Sequence, residues 1–311
     1  MDNGEKKEIL VSVIMSVYSE PQIYLKQSIE SILNQTHKNL EFIIIVDKPD
    51  NKETILFINQ YKEKDDRIKL IINDSNIGLV KSLNKGLSIS KAEYVVRMDA
   101  DDIAYEDRIK KQLIFMINNG IDILGGGVEI IDKNGIIKNN FTSNITGVDN
   151  VKKILALSNI IPHPTWMVRK DVYLKLKGYR EIFTCEDYDF LLRAVKQGYK
   201  IDNLNECILK YRYLEQSISR SNALTQFLTM KNLQKIYRNK TEYVDVKIKN
   251  ITKEKELSFM RANKKILRAS DSFNQRNVAK SIFYMAQAII LSPYSFIKIK
   301  DILYIKLKYG R

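Results

Sequence analysis

The chain has 311 residues, 44% of them hydrophobic and 28% charged, proportions that exclude an intrinsically disordered protein. Its formal charge of +14 lies entirely in the last third: residues 1–215 balance 31 basic against 31 acidic side chains, while residues 216–311 hold 20 against 6. Cys185 and Cys207 make no disulfide framework and no zinc spacing, the N-terminus is too polar for a signal peptide, and no apolar run reaches the roughly 20 residues of a membrane span. A cytoplasmic protein that does not cross a bilayer is expected.

Along the first 125 residues two periods alternate. Ile9–Tyr18 is almost continuously apolar, as parallel strands buried on both faces are. Ile23–Gln35 has apolar residues at helical spacing. A strand at Leu40–Val46, a helix at Lys52–Glu63, a strand at Ile68–Ile72 and a helix at Ile77–Ser90 follow, then a strand that enters Arg97-Met98-Asp99-Ala100-Asp101-Asp102. Strands alternating with helices of this length predict an α/β fold with a parallel sheet, in which ligands bind beyond the carboxyl ends of the strands. Tyr18-Ser19-Glu20, Asp47, Asn73-Asp74 and the Asp cluster all fall at those ends.

Three carboxylates within four positions repel one another, and a cation among them relieves the repulsion. Oxygen-only ligands favour a hard ion, Mg²⁺ or Mn²⁺, which keeps open positions for phosphate oxygens. The competing reading is an Asp-rich turn, with Asp102 capping the helix that follows.

Residues 121–215 are less regular. Ile123–Ile130 reads as a strand whose Gly125-Gly126-Gly127 permits a bulge or a close ligand approach, without P-loop spacing. Val172–Lys177 is a short helix closed by Gly178, and a second helix begins near Glu186-Asp187 and ends at Gly198. From about Gln216 the pattern is helical throughout, with Ser292-Pro293 closing one segment. The expected organisation is an α/β domain over residues 1–215 followed by a basic helical region over 216–311.

With the motifs in order, the chain resembles the family 2 glycosyltransferases of GT-A fold, over about residues 9–215. The pieces that carry the resemblance are Val11–Tyr18, Glu41–Asp47, Asn76-Ile77-Gly78-Leu79 with Leu83-Asn84-Lys85-Gly86, Arg97–Asp102, and Cys185-Glu186-Asp187-Tyr188-Asp189. It looks most like bacterial members that build capsules, lipopolysaccharide and other surface glycans. The resemblance implies a mostly parallel Rossmann-like sheet flanked by helices, a nucleotide-diphospho-sugar donor (a UDP-sugar foremost), and transfer with inversion. It implies that the first domain is catalytic, with a nucleotide-binding half at about 9–125 and an acceptor half at about 126–215. It places Tyr18, Glu20 and Asp47 in the nucleoside pocket and Asn76, Gly78 and Lys81 beside the nucleotide. Asp99 then faces the ribose, Asp101 holds the metal with Asp102 close by, and Asp187 is the general base, supported by Glu186 and Asp189. The usual Asp-Asp-Gly-Ser turn is replaced here by Asp47-Lys48-Pro49-Asp50. The Gln-x-x-Arg-Trp signature of processive members is missing, which favours addition of a single sugar.

His163 and Trp166 read either as acceptor or diphosphate contacts or as core residues, Arg212 and Arg220 as weak diphosphate candidates, and His37 as surface. The basic region is either a solvated helical face or a surface for anionic membrane, with Lys298, Lys300, Lys306, Lys308 and Arg311 among apolar residues; no nucleic-acid module is recognised. The acceptor implied is a saccharide on an undecaprenyl-diphosphate type of carrier, which would place the enzyme peripherally on the inner face of the cell membrane. Two rivals stand beside this reading: a catalytically silent nucleotide-sugar-binding or scaffold protein, and a nucleotidyltransferase, whose glycine-rich phosphate loop is not found after the first strand.

Overall fold

The computed structural model describes residues 8–141, 145–214, 221–239 and 251–309. The alternation read from the sequence is found within a residue or two: β1 (Val11–Val17), α1 (Gln22–Leu33), β2 (Leu40–Val46), α2 (Lys52–Lys62), β3 (Ile68–Ile72), α3 (Leu79–Ile89) and β4 (Tyr94–Asp99). Every residue of β2 is buried, which is why no polar alternation marks it. α1 lays Leu25, Ile29 and Ile32 into the core at helical spacing. α3 comes so close to the sheet at Gly86 that a Cβ there would meet the Ile14 side chain at 2.7 Å.

These four strands are parallel in the order β3-β2-β1-β4, with Val17 opposite Val46, Val46 opposite Ile72 and Ser16 opposite Asp99. The register brings Tyr18, Asp47, Asn73 and Ala100 off one rim at one level. After the two-residue β5 (Ile103–Ala104) and α4 (Arg108–Asn119) come β6 (Ile123–Ile131), β7 (Ile137–Phe141) and α5 (Val148–Leu155). A 3₁₀ turn (His163–Thr165), β8 (Met167–Arg169), α6 (Lys170–Lys175), α7 (Glu186–Lys196) and β9 (Ile201–Arg212) complete the sheet. Its second half runs β4-β8-β6-β9-β5, with β8 antiparallel to both β4 and β6, β9 parallel to β6, and β7 on the side of β6.

The triple glycine serves packing. A Cβ on Gly125 would fall 2.0 Å from the Ile161 side chain, and one on Gly126 2.5 Å from that of Ile208. The β6–β9 register slips at these glycines, which is the bulge that the sequence allowed. His37 is not a surface residue: it is 2% exposed, with Nε2 2.8 Å from the Ile9 carbonyl and Nδ1 3.1 Å from Glu8.

The chain divides into two compact units. The first runs through Tyr213 apart from Ala156–Ser158 and Ile182–Cys185; the second has those two short pieces and the chain from Leu214. The second unit contains α8 (Ala223–Asn239), α9 (Lys253–Asn274), α10 (Val278–Leu291) and α11 (Tyr294–Tyr309). Its apolar contacts gather around Leu224, Phe227 and Phe259, and around Ala262, Ile266, Ala288 and Ile299. Buried Glu256 of α9 accepts the backbone N–H groups of Leu224 and Thr225, meeting two donors that the start of α8 leaves without helical partners.

Candidate active site

Four strand ends of the first unit supply one rim of polar groups. Asp47, buried beyond β2, accepts from Asn73 Nδ2 and the Ile77 N–H on Oδ1 and from the Gly78 N–H on Oδ2. It thereby ties the entry of α3 to the sheet, and part of Oδ2's capacity is left. Gly78 takes φ +85°, which a side-chain-bearing residue adopts only under strain, and Asn76 accepts its N–H at 3.1 Å. Tyr18 is exposed, with Lys48 Nζ 5.6 Å over its ring. Glu20 turns back to accept the Tyr18 N–H at 2.8 Å; burial pushes its carboxyl above the usual range, and the charge of Asp99 adds to the push.

The Asp cluster follows β4. One carboxylate oxygen from each of Asp99, Asp101 and Asp102 lies within 4.8 Å of the others. Asp102 is 1% exposed; its Oδ1 accepts the Arg212 N–H, while its Oδ2 is buried without a hydrogen-bond partner. Burial, then Asp99 and Glu20, push Asp101 up to about 7, and burial with Asp101 and Asp99 pushes Asp102 well above the carboxylate range. An orphaned buried oxygen and three crowded acids fit a hard divalent cation, which needs oxygen donors and removes the repulsion. The capping role weighed for Asp102 is not what its side chain does: it holds β9.

Three buried arginines brace this corner. Arg97, inside β4, bonds Asp99 Oδ1 and the Met98 carbonyl. Arg108, fully buried at the start of α4, reaches the Arg97 carbonyl, Gln112 Oε1 and Met98 Sδ; burial lowers it to about 9 although Asp102 opposes the shift. Arg212 is committed to structure, not to a diphosphate. Its Nε donates to the Asp101 carbonyl, Nη1 to the carbonyls of Asp132 and Lys133, and Nη2 to Gln27, with Tyr24 stacked 4.1 Å away.

Glu186 and Asp187 open α7. Burial and then the neighbouring Asp187 charge push Glu186 up to about 7. Burial pushes Asp187 up to about 6, against the Tyr188 N–H at 2.6 Å on Oδ1 and Asn159 Nδ2 at 2.9 Å on Oδ2. Both acids also feel the charge of Asp99, so the fold brings the two acidic centres, nearly ninety positions apart in sequence, within electrostatic reach. Asp189 does something else: it pairs with Arg193, whose guanidinium also binds the carbonyls of Leu176 and Gly178.

The remaining expectations divide. Trp166 is completely buried, its indole N–H given to the Ile161 carbonyl at 3.2 Å, so it presents no face to a sugar and is core. His163 stacks edge-on against it at 4.6 Å and shares a hydrogen bond with the Tyr179 hydroxyl, which meets Tyr173; burial holds the imidazole neutral, well below its usual pKa. That makes His163 part of the supporting wall. Lys81 is exposed and paired with Glu181 at 3.5 Å. Arg220 and Arg311 lie outside the described residues. Sequence reasoning missed Arg97, Arg108 and Asn159. A charge inside an otherwise apolar strand, and an Arg–Gln pair at i, i+4, signalled the first two; nothing local singles out Asn159.

Comparison with known proteins identifies the family and the fold. The sequence model described as glycosyl transferase family 2 matches residues 12–177. An uncharacterized glycosyltransferase of Methanocaldococcus jannaschii is 42% identical over 210 residues, 67% of this chain and 72% of that one. The O-antigen biosynthesis glycosyltransferase WbnJ of Escherichia coli is 38% identical over 216 residues, 68% of this chain and 83% of its own length. Among solved structures, Staphylococcus aureus TarS (residues 1–349) in complex with UDP-GlcNAc superposes with a TM-score of 0.59 at 17% identity, covering 91% of this chain and 81% of that one.

Proposed function

This chain belongs to glycosyl transferase family 2 and has the GT-A fold, and on that premise we propose that it is a metal-dependent, inverting enzyme adding one sugar from a nucleotide-diphosphate donor to an acceptor hydroxyl. One observation supports the reading above all: three crowded carboxylates follow β4, and the acid pair opening α7, raised mainly by burial, lies near enough to feel the charge of Asp99 as a smaller contribution. A site with a cation-binding corner beside buried acids of raised pKa suits displacement of a diphosphate by a hydroxyl.

The residues divide the work as follows. Asp47, with capacity left on Oδ2, and Tyr18 and Glu20 line the nucleoside side, with Asn76, Gly78 and Lys81 at the entry of α3 beside it. Asp99, fixed by Arg97, faces the ribose. Asp101 and Asp102 would hold Mn²⁺ or Mg²⁺, which when bound supplies Lewis-acid stabilisation of the charge on the departing nucleoside diphosphate. Asp187 accepts the acceptor's hydroxyl proton as that oxygen bonds the anomeric carbon. The bond from that carbon to the diphosphate breaks on the opposite face, its electron pair leaving with the diphosphate, so configuration inverts in a single step. Glu186, the preceding residue, is the proposed supporting acid.

A uridine diphosphate sugar is the proposed donor, in keeping with the UDP-GlcNAc held by a protein of the same fold. The proposed acceptor is a saccharide on a lipid diphosphate, in keeping with relatives named for O-antigen and teichuronic acid synthesis. Calorimetric titration of a panel of nucleoside diphosphates, with and without Mn²⁺, tests the reading. Metal-dependent binding of UDP is expected, and no metal-dependent binding of any member would overturn it.

A further inference from the structure

α10 is assembled the wrong way round for a helix of a water-soluble bundle. Of its fourteen residues only the small Ser281 and Ala288 are buried, while Ile282, Phe283 and Ile290 face solvent, Ile290 to 83%. Phe283 and Ile290, seven residues apart, share one stripe, and Ser281 and Ala288 occupy the other side of the helix. Lys280 is its single charged residue. α11 repeats the arrangement: Ser295 and Ile299 are buried, while Phe296, Lys300, Leu303 and Leu307 at i, i+4, i+7 and i+11 form an exposed stripe, Leu307 to 86%. Exposed apolar stripes of this kind mark docking sites.

Charge selects the occupant. Residues 216–311 carry 20 basic and 6 acidic side chains, so a second copy of the chain would set like charge against like. A nucleic acid matches the lysines and not the phenyl and aliphatic groups. An anionic bilayer matches both, since apolar side chains enter the headgroup–acyl boundary while lysines meet lipid phosphates. We propose that the outer faces of α10 and α11 dock the protein on an anionic lipid surface. The proposal goes beyond sugar transfer and does not rest on it.

The test is co-sedimentation of the full chain with vesicles of phosphatidylcholine, alone or mixed with phosphatidylglycerol, with donor and acceptor left out. Pelleting is expected with the phosphatidylglycerol vesicles, weakened by salt. The double substitution Phe283→Glu and Ile290→Glu should lower the bound fraction roughly tenfold or more. The pair Lys280→Gln and Lys300→Gln should lower it about tenfold while leaving the apolar stripe intact. All four positions are exposed, so thermal unfolding should stay at the wild-type temperature, separating lost docking from lost fold. No pelleting with phosphatidylglycerol, equal pelleting with phosphatidylcholine alone, or equal pelleting by the variants overturns the proposal. So does a dimer of the wild-type chain, seen by light scattering, that Phe283→Glu with Ile290→Glu dissolves. Nucleotide titration contains no lipid, so failure here is distinguishable from failure of the enzymatic reading.

Discussion

Asn159 donates its side-chain amide to Asp187 Oδ2 at 2.9 Å, and that bond favours the ionised carboxylate. Asp99 acts on both Asp187 and its neighbour Glu186, Arg97 acts on Glu186, and Tyr179 interacts with Asp187. With Asp187 as the proposed base at about 6, transfer falls as pH drops through that value and the carboxylate takes up a proton. Asn159→Ala removes support for the charged form, so the pKa rises and the acid limb of kcat/KM moves to higher pH, by roughly half to one unit. Rates well above neutrality should be nearly unchanged. A uniform loss at every pH would assign Asn159 to orientation alone.

Binding and transfer should come apart at the two acidic centres. Asp187→Asn keeps shape and removes the base, so metal-dependent binding of the nucleoside diphosphate persists while kcat drops about 10²–10⁴-fold. Asp101→Ala should lose both. Calorimetry beside a product assay decides, and full turnover in Asp187→Asn would remove the base assignment.

Asp101→Asn offers a less obvious outcome. Asp101 sits against Asp99 and Glu20, which raise its pKa together with burial. Neutralising it relieves the repulsion, so without added metal the variant should unfold at a higher temperature than wild type, by roughly 2–4 °C per kcal/mol relieved. Mn²⁺ should raise the wild-type unfolding temperature by mass action and leave the variant's nearly unmoved. Differential scanning fluorimetry with a Mn²⁺ series reads both arms.

Trp166→Phe tests whether the only tryptophan touches the acceptor. Its complete burial predicts lower stability, from lost contacts and the lost bond to the Ile161 carbonyl, by about 1–3 kcal/mol. KM for the acceptor should stay at the wild-type value. A stability near wild type with a raised KM would return Trp166 to the sugar site.

The parallel half of the sheet and the rim it creates were legible because continuous apolar strands and amphipathic helices alternate up to Asp99. The grouping of acids was legible too, because Asp99-Asp101-Asp102 and Glu186-Asp187 are each crowded into a few consecutive positions. What stayed hidden depends on partners far along the chain. Asn159 has no period or spacing of its own, and only the folded loop brings it to Asp187. Trp166 and His163 sit in a short irregular stretch where nothing distinguishes a core ring from an exposed one. Asp189 resembled part of the acid pair, yet its i, i+4 relation to Arg193 was the truer signal, that of a helix tied to the preceding turn.

Arg212 clasps Gln27, the loop of Asp101 and Asp102, and the turn at Asp132–Lys133, from the last position of β9. During translation, every element that carries the acidic corner leaves the ribosome before the guanidinium that braces it. A nascent chain short of β9 lacks both the brace and the partner strand of β5, so the candidate site matures late, at the completion of its own sheet.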